Sequence, residues 1–164
     1  QFTALKGLVH AEHAKVVWQE ALQAFYRQWQ HDALVVNMWF QVQATRPWGN
    51  VLQEVQQLLN HEAFDVCNPN KLRAVIAAFA NQNFAGFHDS SGKAYQFLAD
   101  QIADIDQRIP QMAARLLTPL THWHQFIDEH ATLMRKALES LSQRELSKDV
   151  YEVVSKSLNG RGAG

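Results

Sequence analysis

Apolar positions in this chain recur every three or four residues, the spacing that places side chains on one face of a helix. The clearest run is Leu72, Val75, Ile76 and Phe79, near the middle of the sequence. Asn68 is suited to cap the helix that carries it, and Pro69 to its first turn, where the missing N–H has no intrahelical partner. Asn70 is a second candidate cap. The opposite side is small rather than charged, with Ala74, Ala77, Ala78 and Ala80. A helix apolar or small all round is buried between neighbours on both sides, so this segment is expected at the centre of the fold. Arg73 reads as its one interior cation, on the edge of the main face. A guanidinium there needs a carboxylate partner inside the domain or a wet cavity.

The same period continues on both sides. Gly7 to Trp29 carries Val9, Val16, Val17, Leu22, Phe25, Tyr26 and Trp29. Asp32 to about Thr45 is expected to turn Leu34, Val35, Met38, Trp39 and Val42 inward. Arg46-Pro47-Trp48-Gly49 interrupts, and Asn50 caps a third helix with Val51, Leu52, Val55, Leu58 and Leu59 on its face. After the central helix, Phe84 to Gly92 reads as a loop whose Phe84 and Phe87 plug the core. Helices follow from Lys93 to about Gln107, from Pro110 to a kink or stop at Pro119, and from Phe126 to Leu141. A final helix, with Val150, Val153, Val154 and Leu158, is capped by Ser147 and closed by Asn159-Gly160. No segment has a strand's period of two. The pattern predicts an all-α protein of about eight helices, paired as stacked helical hairpins in a HEAT- or armadillo-like superhelix, in preference to an irregular bundle.

Composition narrows this reading. The 164 residues suffice for one domain with its own core, read as residues 1–158, with 159–164 as a flexible Gly-rich tail. The net charge of −1 and pI near 6.8 give no broad basic surface for nucleic acid. No apolar run is long enough for a membrane span. Five Trp and nine Phe, with only 19% charged residues, suggest a chain that gives part of its surface to other domains. The single cysteine, Cys67, excludes an internal disulfide and is in keeping with a reducing compartment. The sequence begins with Gln1, so it reads as a piece of something longer.

The search for chemistry yields little. His10 and His13 share a helix face, but a metal site needs a third ligand that nothing nearby supplies. His61-Glu62 opens the zinc-peptidase pattern His-Glu-x-x-His, yet its fifth position is Asp65, and the match fails. His122 and His124 point to different faces, with His130 beyond. Cys67 has no histidine beside it and reads as a small buried thiol. No catalytic or metal-binding residue is assigned. One polar stripe stands out on the helix opened by Pro110: Arg108, Gln111, Arg115 and Thr118 lie within about a quarter-turn of one another. By spacing alone it is an ordinary solvated face.

Several pieces of the sequence share an order and spacing with a known family. They are Leu34-Val35 with Trp39-Phe40, Gln43-Ala44-Thr45, Asn50-Val51-Leu52 and Asn68-Pro69-Asn70. Then come Ala78-Phe79-Ala80, Phe87-His88, Tyr95-x-Phe97-Leu98, Pro110-Gln111 with Ala114-Arg115, and Tyr151-Glu152. Together they cover Trp29 to about Leu158, and they resemble the C-terminal helical domain of bacterial aminopeptidase N, a zinc metallopeptidase. The resemblance implies an α-superhelix that closes the active-site cavity and limits which peptides enter. It implies cytoplasmic location, with zinc held in the catalytic domain of a parent protein. It further implies partners in that catalytic domain and the parent's β domains, and peptide substrates reaching the cavity. On the same ground Arg73, Gln111 and Arg115 are expected to face the cavity and bind substrate rather than cleave it. The alternative is an independent α-solenoid scaffold that binds peptides or proteins. A His-Glu-x-x-His segment upstream in the same reading frame separates the two.

Overall fold

A computed structural model describes the backbone of residues 2–160 and the side chains of residues 13–160. Every regular element among them is helical, as the periodicity predicts. The chain falls into two compact units divided between Trp39 and Phe40.

The first unit holds α1 (Phe2–Trp29) and the start of α2 (Ala33–Ala44). Asp32 accepts from the backbone N–H groups of Leu34 and Val35 through one carboxylate oxygen, which caps α2. Trp39 fastens the two helices: its indole N–H donates to the Leu22 carbonyl at 2.9 Å, and its ring lies 4.9 Å from that of Tyr26. The inward faces expected here are largely not those observed. On α1, Val16, Val17, Phe25 and Trp29 are exposed. On α2, Leu34 is 77% exposed, Met38 63% and Val42 49%, while Val36, Phe40 and Ala44 are buried. The sequence of α2, ALVVNMWFQVQA, contains no charge and is apolar on more than one side, so spacing alone does not decide which row turns inward.

The second unit begins with a loop built around Arg46, which is almost fully buried. Its Nε donates to the Trp48 carbonyl at 2.7 Å, its guanidinium lies 4.1 Å from the Trp48 ring centre, and Nη2 pairs with Glu54 at 2.6 Å. Gly49 is required beneath it. Its φ is +81°, and a Cβ there would stand 2.6 Å from Arg46 Nη2. Asn50 then caps α3 (Val51–Leu58) by accepting from Gln53 N–H.

The central helix runs from α4 (Pro69–Leu72) through a π segment (Arg73–Ala77) into α5 (Ala78–Gln82). Asn68 is the cap and Pro69 stands in the first turn as expected; Asn70 lies inside the helix. Leu72, Val75, Ile76 and Phe79 are each no more than 1% exposed, and burial of that kind stabilises by about 2 kcal/mol per side chain. The π turn, in which Ala78 N–H reaches Arg73 C=O, was not legible in the spacing. It inserts an extra residue into one turn. Ala74, Ala78 and Ala80 are buried with the main face. The interior cation is not Arg73, which is exposed, but Lys71, which is 8% exposed with its ammonium 5.6 Å from the Phe40 ring centre. Its apolar stem lies along the core and burial pushes its pKa down.

Asn83 closes α5 and opens α6 (Phe84–Phe87), a short helix where a loop was expected. Phe87 does plug the core, with its ring edge-on to Phe79 at 6.0 Å and to Tyr95 at 5.2 Å; Phe84 is exposed. Gly92, at φ +74°, leads into α7 (Lys93–Asp106), and a Cβ there would press on Leu133. Next come α8 (Pro110–Leu116), α9 (Thr118–Thr121) with Pro119 in its first turn, and a 3-10 turn at Trp123–Gln125. α10 (Asp128–Ser142) and α11 (Lys148–Asn159) complete the order. α7 packs on α8 and α10, and α11 packs on α8 and α10 in turn. Ser147 caps α11 and also donates, through N–H and Oγ, to the buried Asp106 carboxylate at the end of α7. Of the tail expected at 159–164, residues 161–164 lie outside the described residues.

Candidate functional site

Gln111 and Arg115 stand one turn apart on α8, and both are exposed beside buried Met112, Ala113 and Leu116. Pro110 starts the helix, and Thr118 Oγ1 donates to the Arg115 carbonyl at 2.9 Å just past its end. Arg108, in the same stripe, lies 3.9 Å from Asp104 one turn earlier. Arg73 stands apart in sequence, at the start of the π segment, where its Nη1 donates to Asn70 Oδ1 at 3.1 Å. Among the described residues neither Arg73 nor Arg115 pairs with a carboxylate. Two exposed guanidinium groups without an anion and a carboxamide between them in chain order can bind a carboxylate through paired donors and a carbonyl through Gln111. No hydrogen bond joins Arg73 to Gln111 or Arg115 among the described residues.

A second polar constellation has no counterpart in the sequence reading. The Tyr95 hydroxyl, on α7, lies 2.7 Å from His88 Nδ1 and 3.1 Å from His130 Nδ1. Tyr95 is fully buried. Phe126 stacks on His88 at 4.6 Å, and Phe84 lies on it at 4.7 Å. Burial, with the charge of Asp89, pushes the Tyr95 pKa up to about 12, so the hydroxyl keeps its proton at any ordinary pH. Burial, with the neighbouring His130, pushes that of His88 down. A phenol has one proton to donate, so it gives it to one imidazole nitrogen and accepts from the other. The cluster joins residues 7 and 35 positions from Tyr95, and the second separation leaves no local signature.

His13 is exposed, and the side chain of His10 lies outside the described residues, so that pair is not resolved further. His61 sits in the turn after α3, its Nδ1 accepting from Ala63 N–H at 3.0 Å, with Phe40 edge-on at 5.6 Å; burial lowers its pKa. Among the described residues no three His, Cys, Asp or Glu side chains are grouped to hold a metal ion. Cys67 is exposed, not buried, because the turn that Asp65 forms by accepting from Cys67 N–H leaves the thiol at the surface. No described helix is long and apolar enough to cross a membrane.

A family model described as a domain of unknown function, DUF3458_C ARM repeats, matches residues 1–159, including the first 28 residues. Aminopeptidase N of Haemophilus influenzae is 44% identical over 156 residues, covering 94% of this chain and 18% of that protein. Aminopeptidase N of Escherichia coli is 41% identical over 157 residues, with the same coverage of each. Among solved structures, Legionella pneumophila aminopeptidase A in complex with aspartic acid superposes with a TM-score of 0.83 at 34% identity, over 92% of this chain and 17% of that one. The chain thus spans about a fifth of the length of the curated relatives it matches.

Proposed function

Because this chain belongs to the DUF3458_C ARM-repeat family, we propose that it is the C-terminal helical domain of a zinc-dependent aminopeptidase N, closing the active-site cavity and contributing to peptide access and binding. The observation that carries this reading is the alignment of nearly the whole chain with aminopeptidase N of two organisms, over less than a fifth of their length. In this reading the zinc and the bond-breaking groups belong to the parent's catalytic domain. The parent is cytoplasmic, and this domain's partners are its catalytic and β domains and the peptide in the cavity.

Arg73, Gln111 and Arg115 are the residues proposed to meet that peptide. Exposed guanidinium groups without a carboxylate partner support the assignment, since a substrate's carboxylate and carbonyls are what such groups bind. A single-residue amide lacks the distal carboxylate, so the loss of one guanidinium is felt only by the longer substrate. In the full-length enzyme Arg115→Ala is expected to raise KM for peptides about tenfold, with kcat and KM for aminoacyl amides little changed. Steady-state kinetics on both substrate types is the test. An equal loss on both, or no change on peptides, would remove Arg115 from the binding role.

A further inference from the structure

A groove of about 960 Å³ runs between α3 and α7, which both pack against α6. One wall is a row of carboxamides: Asn50, Gln53 and Gln56 along α3, then Asn60 just beyond it. Gln96 and Gln101 face them from α7. The apolar part of the lining includes Leu52, Leu59, Phe64 and Val66, each only half-buried.

The carboxylates in the groove already have partners. Asp100 accepts from Arg144 and from Gln96, and Asp104 lies beside Arg108. Lys93 is the one cation in the lining and forms no ion pair among the described residues; its charge only adds to the Ser91 hydrogen bonds that hold down the pKa of nearby Asp89. Apart from Lys93, what stays open is neutral and two-sided. The side chains of Gln56 and Gln101 make no hydrogen bond among the described residues, and each offers a donor beside an acceptor. A phosphate would find little positive charge there, and a cation would find carboxylates already occupied. A main-chain amide, itself one donor and one acceptor, matches a carboxamide at both atoms.

We propose that this groove is a binding site for an extended peptide segment, read through its backbone by the carboxamides. Alternate apolar side chains of that segment would settle on Leu52, Leu59, Phe64 and Val66. From Lys93 to Asp104 the α7 wall rises about 16 Å at 1.5 Å per residue, room for about five extended residues. The site is separate from the Arg73, Gln111 and Arg115 assignment and does not rest on the aminopeptidase reading.

The test uses the intact protein that carries this chain and a pentapeptide alternating serine and leucine, labelled with an uncharged boron-dipyrromethene dye. The label blocks its amino end and an amide its carboxyl end, so it presents neither a free amine nor a carboxylate to any exopeptidase centre. A saturable rise in fluorescence anisotropy is expected. Replacing both open carboxamides, Gln56→Ala with Gln101→Ala, should weaken binding about tenfold. Gln101→Glu keeps the side chain's size but removes its donor, and should weaken binding in the same direction. Thermal melts establish that both variants fold, since neither position is in the core. Absence of saturable binding, or binding that neither variant weakens, overturns the proposal. Because the readout is binding of a blocked peptide and not turnover, its failure is distinguishable from failure of the Arg115 experiment.

Discussion

Tyr95 has one proton and two histidine nitrogens within reach, and that mismatch makes the cluster sensitive to pH. The fold favours neutral His88, because both burial and the neighbouring His130 disfavour its imidazolium. The unfolded chain therefore takes up a proton near pH 6.5 that the folded chain accepts only at lower pH. The unfolded state then binds more protons, so stability is full above that value and falls as pH drops through the window beneath it. Thermal melts at steps from about pH 8 to about pH 5 are expected to show this loss, and His88→Gln should flatten it. An unchanged slope in the variant would assign the loss elsewhere. At this scale the sequence is least informative. Lys71 and Arg73 are two residues apart on one helix, and spacing alone points to the wrong one as the cation on the core. Whether a long side chain lies along the core or leaves it depends on what packs beside it, here Phe40, from a distant part of the chain.

Helical elements were legible wherever a cap and an apolar row coincide. Asn50, Asn68 and Ser147 each accept from a backbone N–H of the helix that follows. What was not legible is orientation. In α2 two rows are apolar, and the buried one, Val36, Phe40 and Ala44, is not the one with Leu34, Met38 and Val42. The turn at α6 depends on Asn83, which reaches across 37 and 39 residues to donate to the Arg46 and Ala44 carbonyls at 2.9 and 3.0 Å. Its Oδ1 accepts from Gly86 N–H, so one buried side chain ends α2's loop and starts α6. Asn83→Ala would strand two buried carbonyls and an N–H, at a cost of about 3 kcal/mol. A loss of unfolding free energy in a denaturant titration of less than a third of that would mean water replaces the amide.

For the whole molecule, fold class followed from period alone, since no segment alternates every second residue and every described element is helical. The proposed contact residues are a different matter. Gln111 and Arg115 share a face by arithmetic, but the features that give Arg115 a proposed role, exposure and no ion pair among the described residues, belong to the folded chain. The α3–α7 groove was not visible in sequence at all, because its walls come from helices about 40 residues apart and each wall alone reads as a polar surface.

The way α11 is fastened has a consequence for the covalent chain itself. Asp106 holds the first turn through Ser147, and Trp123 donates to the Ser157 carbonyl at 3.3 Å near the other end. Between these points Val150 and Val154 are fully buried. The exposed link at Arg144 and Glu145 carries none of those ties. A protease that cuts after Arg144 should therefore sever the backbone without freeing the helix. Two fragments are expected on a denaturing gel, yet a single species on a native sizing column. Separation of the short fragment under native conditions would show that α11 depends on the intact chain to stay bound.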